Sequence, residues 1–126
     1  MHGEKPIELV LREVEKVWGK EVWVVNNEKD NYCGKFLHVK AGKEFSYHFH
    51  KDKNESFWLQ SGRAVLRYID TETAKVKHIR LDRSTPVEIP RFVPHSVFAE
   101  EDSVILEIST FHKDTDSYRV KINEAT

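Results

Sequence analysis

The chain has a single cysteine, a single methionine, five glycines and four prolines among 126 residues. With Cys33 alone no intrachain disulfide can form, so packing must hold the fold together, and a reducing, cytoplasmic setting is expected. No base partner for Cys33 is identifiable, and it reads as a small strand residue rather than a nucleophile. No apolar run approaches the roughly 20 residues that cross a bilayer as a helix. The opening MHGEKPIE also lacks the apolar stretch of a signal peptide, so no membrane partner is expected. Charge of one sign is not in excess: 20 Lys and Arg stand against 21 Asp and Glu, a formal net charge of −1. A nucleic-acid partner would need a concentrated basic surplus to neutralise phosphates, so none is expected. Internal repeats, low-complexity segments and linkers are missing too. What remains, 39% hydrophobic and 33% charged residues, is the composition of one soluble globular domain over residues 1–126.

Short β-forming runs separated by turn residues fill the chain. Val22 to Val25 is β-branched and aromatic and leads into the turn-prone NNEKDN. Tyr32 to Lys40 carries Leu37 and Val39 on one face, and Ala41-Gly42-Lys43 turns the chain. Further strands are expected at Glu44 to His50, Glu55 to Gln60, Ala64 to Ile69, Ala74 to Leu81, Pro86 to Pro90, Ser96 to Ala99 and Val104 to Thr110. Strands repeating every 8–12 residues or so predict an all-β sandwich or barrel, here with its core over about residues 32–112. In IELVLREVEKVW, Ile7, Val10, Leu11, Val14 and Trp18 fit helical spacing, while Ile7, Leu9 and Leu11 fit a strand. The strand-like KVWGKEVWVV beyond favours an extended amino-terminal arm over residues 1–16. Such an arm can pair with the sheet edge of a second subunit, and a homodimer is expected.

Three histidines and one glutamate stand out against this background. His48 and His50 alternate with Phe49, so in a strand both side chains point the same way. The short polar KDKN allows a hairpin that returns Glu55 beside them, and His95 follows in IPRFVPH. Three neutral imidazoles and a carboxylate supply a ligand set for one divalent transition metal and leave positions open for chemistry. Iron, manganese, zinc, nickel and cobalt all suit this donor set. Of the other histidines, His2 falls in the terminus, and His38 and His78 read as surface positions. Phe45, Tyr47, Phe49, Phe57, Trp58 and Phe98 read as packing residues, with Phe57 and Leu59 on the face of Glu55 and Trp58 pointing outward.

The pattern G-x5-HxH-x4-E-x6-G over Gly42, His48, His50, Glu55 and Gly62 resembles the first motif of the cupin family. Its second motif is met by Pro90 and His95, while Ser84, Phe92 and Ala99 replace two glycines and an asparagine. The resemblance implies a single-domain double-stranded β-helix, a conical jelly-roll-like barrel, with the metal near its centre. Among cupins the chain is similar to type II phosphomannose isomerase domains. The pieces that carry this likeness are Lys16-Val17-Trp18-Gly19, Tyr32 to Gly42, Ser46, Leu106-Glu107-Ile108 and Asp116-Ser117-Tyr118-Arg119. Ser109 stands where that family has glutamine, and the segment leading to Arg119 is shorter.

This likeness implies a metal-dependent sugar or sugar-phosphate isomerase or epimerase, working on mannose 6-phosphate or a related small molecule. A metal-dependent oxygenase or lyase, or a non-catalytic carbohydrate-binding cupin, are the other expectations. Isomerisation needs a base near the substrate carbon. Glu55, if freed from a metal, and His112, just past the last strand, are candidates for catalytic groups. Lys35 is another, since it shares the face of Leu37 and Val39 and should point inward, where an ammonium needs an anionic partner. Lys53, Arg91 and Arg119 are the further candidates for holding substrate; Lys53 reads otherwise as a solvated hairpin charge.

Overall fold

The computed structural model describes residue 3 and residues 5–122 of the chain, so His2 lies outside the described residues. Among them eleven strands form: β1 (Arg12–Lys16), β2 (Gly19–Asn27), β3 (Tyr32–Val39), β4 (His48–Phe49), β5 (Glu55–Ser61), β6 (Ala64–Asp70), β7 (Lys75–Arg80), β8 (Val87–Ile89), β9 (His95–Ala99), β10 (Ser103–Ser109) and β11 (Tyr118–Arg119). A 3-10 turn occupies Asp114–Asp116. One sheet runs β1-β2-β3-β10-β5-β8 and the other β11-β4-β9-β6-β7, and every named strand pair is antiparallel. The all-β expectation holds. No helix among the described residues is long and apolar enough to cross a membrane.

One expected element needs correction. The first ligand strand was expected over Glu44 to His50, but only His48–Phe49 forms a regular ladder, with one isolated bridge between Glu44 and Phe98. Phe45 and Tyr47 are both buried there, so side-chain packing rather than strand pairing holds the approach to the histidines. In the amino-terminal arm, Arg12–Lys16 is β1 and pairs with β2 of the same chain, from Arg12 opposite Trp23 to Lys16 opposite Gly19. Residues 5–11 have no strand partner among the described residues.

The period-two pattern of β3 places Cys33, Lys35, Leu37 and Val39 inside. Register carries that face across the sheet in rows. Leu37 lies opposite Ile105, and Ile105 opposite Leu59, which makes an apolar floor. Leu66, Val97, Ala64 and Ala99 meet that floor from the other sheet as part of one buried cluster. Each large aliphatic side chain buried in it contributes about 1.5–3 kcal/mol. One row along, Trp23, Lys35, Glu107 and Phe57 stand in register, and beyond them Cys33, Ser109 and Glu55. The interior therefore changes from hydrocarbon to charge within a few residues of β3, and the functional groups sit at the charged end.

The glycines bracketing the histidine motif have a backbone reason. Gly42 and Gly62 hold φ of 79° and 91°, the left-handed region, and a Cβ at Gly62 would run into the Asp102 carbonyl. Phe92, where the resemblance expects a glycine, also sits at positive φ (70°).

Candidate metal centre

The two sheets meet at the histidines. His48 pairs directly with His95 across β4 and β9, so both project from one sheet, and His50 follows at the end of β4. Glu55 opens β5 on the opposite sheet, with residues 51–54 as the link between the two. One side chain positions that link. Asp116, buried, accepts the backbone N–H of Lys51 at 2.9 Å and of Lys53 at 3.0 Å on its carboxylate, with Asp52 N–H at 3.2 Å. Burial alone would raise its pKa, but these N–H donors hold it below the ordinary aspartate range. No local pattern announces this contact, which joins residues more than sixty positions apart.

All three imidazoles are oriented the same way. Nδ1 of His48 donates to the Ser46 carbonyl at 2.9 Å, that of His50 to the Asp116 carbonyl at 2.6 Å, and that of His95 to the Val93 carbonyl at 2.9 Å. A carbonyl only accepts, so each Nδ1 carries a hydrogen, and in the neutral ring Nε2 keeps its lone pair. Ligand atoms of the three rings lie within 4.8 Å of one another. Burial, then the neighbouring His95, pushes the His48 pKa down to about 3, and burial lowers that of His50 as well. Neutral imidazole is the form that binds a metal. His50 Nε2, His95 Nε2 and both oxygens of Glu55 are buried without a hydrogen-bond partner. Glu55 Oε1 stands 2.7 Å from His95 Nε2, and Oε2 stands 3.7 Å from His50 Nε2. Two lone pairs at such a distance require a cation, either a proton or a metal ion, and the donor set fits a divalent transition metal. The three histidines can thus hold a metal ion.

Behind Glu55 lies a buried charge chain. Lys53 is 3% exposed, not the solvated hairpin charge its sequence context suggests. Its ammonium donates to Glu107 at 2.8 Å and to His112 Nδ1 at 3.1 Å, and stands 3.1 Å from Glu55 Oε2. Lys53 is thus held among three groups of its own protein. Burial opposes its charge, yet Glu107 and Glu55 outweigh that and raise its pKa. Burial would likewise raise the Glu55 pKa, but Lys53 and His95 hold this carboxyl well below its usual range. His112 accepts from Lys53 on Nδ1 and donates from Nε2 to Asp114 at 2.9 Å. Burial, then Lys53 and Lys35, pushes its pKa down to about 4. His112 therefore stays neutral, with its one lone pair engaged.

A cavity of about 810 Å³ opens onto these groups. Lys35, His48, His50, Lys53, Glu55, His112 and Arg119 line it together with Trp23, Glu21, Glu107 and Arg12, which the sequence did not single out for the site. Arg91 is not among the lining residues. It is exposed, and its Nε donates to the Asp52 carbonyl at 2.8 Å, so it braces the ligand loop from outside instead of meeting a substrate. His95 is 1% exposed and reaches the site through Glu55.

Solved structures give this architecture a counterpart. CapF, the capsular polysaccharide assembling protein of Staphylococcus aureus, superposes with a TM-score of 0.77 at 20% identity, over 91% of this chain and 35% of that one. A tryptophan-to-tyrosine variant of oxalate decarboxylase from Bacillus subtilis superposes with a TM-score of 0.74 at 18% identity, over 87% of this chain and 30% of the other. Both belong to the cupin β-barrels. The chain has the cupin fold. The chain spans about a third of the length of either neighbour, and at such identities the likeness concerns fold alone. It matches no protein-family model and no curated protein sequence.

Proposed function

We propose that this cupin is a metal-dependent enzyme of carbohydrate metabolism that isomerises or epimerises a small sugar or sugar phosphate, with mannose 6-phosphate as the type substrate. The observation that carries the reading is the convergence of three histidine rings and the Glu55 carboxylate at one end of a polar cavity of about 810 Å³. In it His48, His50, His95 and Glu55 hold one divalent metal. The bound ion would act as a Lewis acid on a sugar carbonyl and its neighbouring hydroxyl. The protein groups do the rest. Lys53 holds Glu55 ionised, and Arg119, in register with His48 on β11, faces the substrate from the cavity rim. His112 positions Lys53 and is itself unsuited to take up a proton.

The reading includes a cytoplasmic homodimer in which a second copy covers the amino-terminal arm. Ile7, Leu9, Val10 and Leu11 are 79%, 61%, 89% and 65% exposed, and apolar side chains in series at such exposure call for a partner. The test is an aldose–ketose assay on metallated protein with mannose and mannose 6-phosphate. Turnover that disappears on chelation and returns with metal supports the reading. A fully metallated protein that converts neither sugar contradicts it and leaves a lyase, an oxygenase or a binding cupin.

A further inference from the structure

Among the described residues, Lys35 is the one interior cation that its own protein leaves without a hydrogen bond. It is 1% exposed, points into the cavity and lies in register between Trp23 of β2 and Glu107 of β10. Its ammonium stands 3.8 Å from the centroid of the Trp23 ring and 3.7 Å from Glu21 Oε1. Both contacts are electrostatic, since the Glu21 separation is too long for a hydrogen bond. The Trp23 indole is pinned by its own N–H bond of 2.8 Å to Glu21, so the platform under Lys35 is rigid. A buried ammonium with unused donors is costly, and its donors open onto the cavity that the metal centre shares. Burial, then Lys53, works against its charge, while Glu107 and Glu21 support it.

Charge balance says what belongs there. Glu21, Glu55 and Glu107 bring three negative charges to this interior, and Lys35 and Lys53 bring two positive ones. Metal-bound histidines are neutral, so a divalent ion turns a balance of one negative charge into one positive charge. Glu21 already faces Lys35, so that single positive charge is shared between the ion and the unused donors of Lys35. Arg12, Glu15, Lys16, Asp114 and Arg119 at the rim are exposed, so solvent screens them and they weigh less in this count, and Glu44 is matched by Arg67.

We infer that the cavity selects sugars bearing a single carboxylate, with that carboxylate received by Lys35 beside the face of Trp23 while the sugar's oxygens face the histidine centre. The inference rests on the metal-dependent reading above, and within its class of small sugars it puts a sugar acid in place of the sugar phosphate. A phosphate dianion at the same place would restore an uncompensated buried negative charge.

The experiment is isothermal titration calorimetry of the zinc-loaded full chain with D-glucuronate, D-glucose and D-glucose 6-phosphate, which differ only at C6. Glucuronate should bind at least about tenfold tighter than either of the others, a factor that corresponds to one well-made charged contact. Lys35→Met should lose that advantage, bind glucose as the wild type does, and keep its zinc. Glucuronate no tighter than glucose, glucose 6-phosphate as tight as glucuronate, no glucuronate binding at millimolar concentration, or full glucuronate affinity in a folded Lys35→Met each overturn the inference. If Lys35→Met does not fold, the three-ligand comparison on the wild type decides. A chain that takes up no zinc removes the metal-dependent reading itself, an outcome distinct from indifference to the carboxylate.

Discussion

Replacing Lys53 with methionine removes one ammonium and little volume, and the structure says this should be among the most damaging single changes in the chain. Lys53 and Glu55 are both essentially sealed from solvent, with side chains 2% and 1% exposed, and Glu107 is at 6%. At an effective dielectric constant of about 20, each contact near 3 Å is worth about 5 kcal/mol of Coulomb energy, most of it offsetting desolvation. Without Lys53, Glu55 and Glu107 become buried carboxylates with no counter-charge, and such orphaned charges cost about 3–5 kcal/mol. With a urea slope of about 2 kcal/mol per molar, the midpoint of the metal-free protein at pH 7 should fall by about 2 M. Adding Glu107→Gln should recover part of the loss, because one of the two orphans is gone. Lys20→Met serves as the control: its pair with Glu13 is also 3.1 Å long, but the two side chains are 36% and 57% exposed. Solvent-exposed pairs contribute about 0–1 kcal/mol, so that midpoint should move by less than about 0.5 M. A Lys53→Met midpoint as close to wild type as Lys20→Met would refute the reading of Lys53 as the counter-charge of the centre.

Three more outcomes follow from the geometry. Asp116→Ala should weaken zinc binding by about tenfold or more, as removal of groups that orient ligands does, because the N–H groups of residues 51–53 lose their acceptor; competition with a coloured chelator would show it, and unchanged affinity would count against the loop as a positioning device. Phe92→Gly should stabilise the protein by about 0.5 kcal/mol in urea unfolding, since a left-handed non-glycine residue costs about 1–2 kcal/mol and glycine gives back about 0.5–1 in chain entropy; Phe92 is 57% exposed and loses little packing, and a clear loss of stability would place the ring in a contact. Acidification should destabilise the metal-free protein between about pH 6.5 and 4: folded His112 and His48 are pushed down to about 4 and about 3, the unfolded imidazoles take up protons near 6.5, and the unfolded state gains from falling pH. A urea midpoint that is flat over that window would contradict the neutral assignment of His112.

How far the sequence leads depends on whether a contact is local. The spacing of His48, His50 and Glu55 around a short polar link is a local pattern, as is the alternation that turns Lys35 inward with Leu37 and Val39. Contacts set by register between distant strands are not. Nothing near Lys53 foretells Glu107 of β10, and nothing near His50 foretells Asp116, which accepts its Nδ1–H from 66 residues away. Trp23 reads as one aromatic in a strand until β2 pairs it with Lys35. The expected strand over Glu44 to His50 shrinks to two residues because burial of Phe45 and Tyr47 takes over from the ladder. Arg91 lies near His95 in the chain, which suggests a place at the mouth, but its guanidinium bonds the Asp52 carbonyl outside the cavity.

Elemental analysis of the purified protein and of His50→Ala, after reconstitution with zinc and exhaustive dialysis, tests the central claim most directly. Close to one metal per chain in the wild type and almost none in His50→Ala, with the β circular dichroism of the variant preserved, is the predicted result. A wild-type chain that retains no metal, or a folded His50→Ala that retains it in full, would contradict the assignment of the histidine cluster as a metal centre.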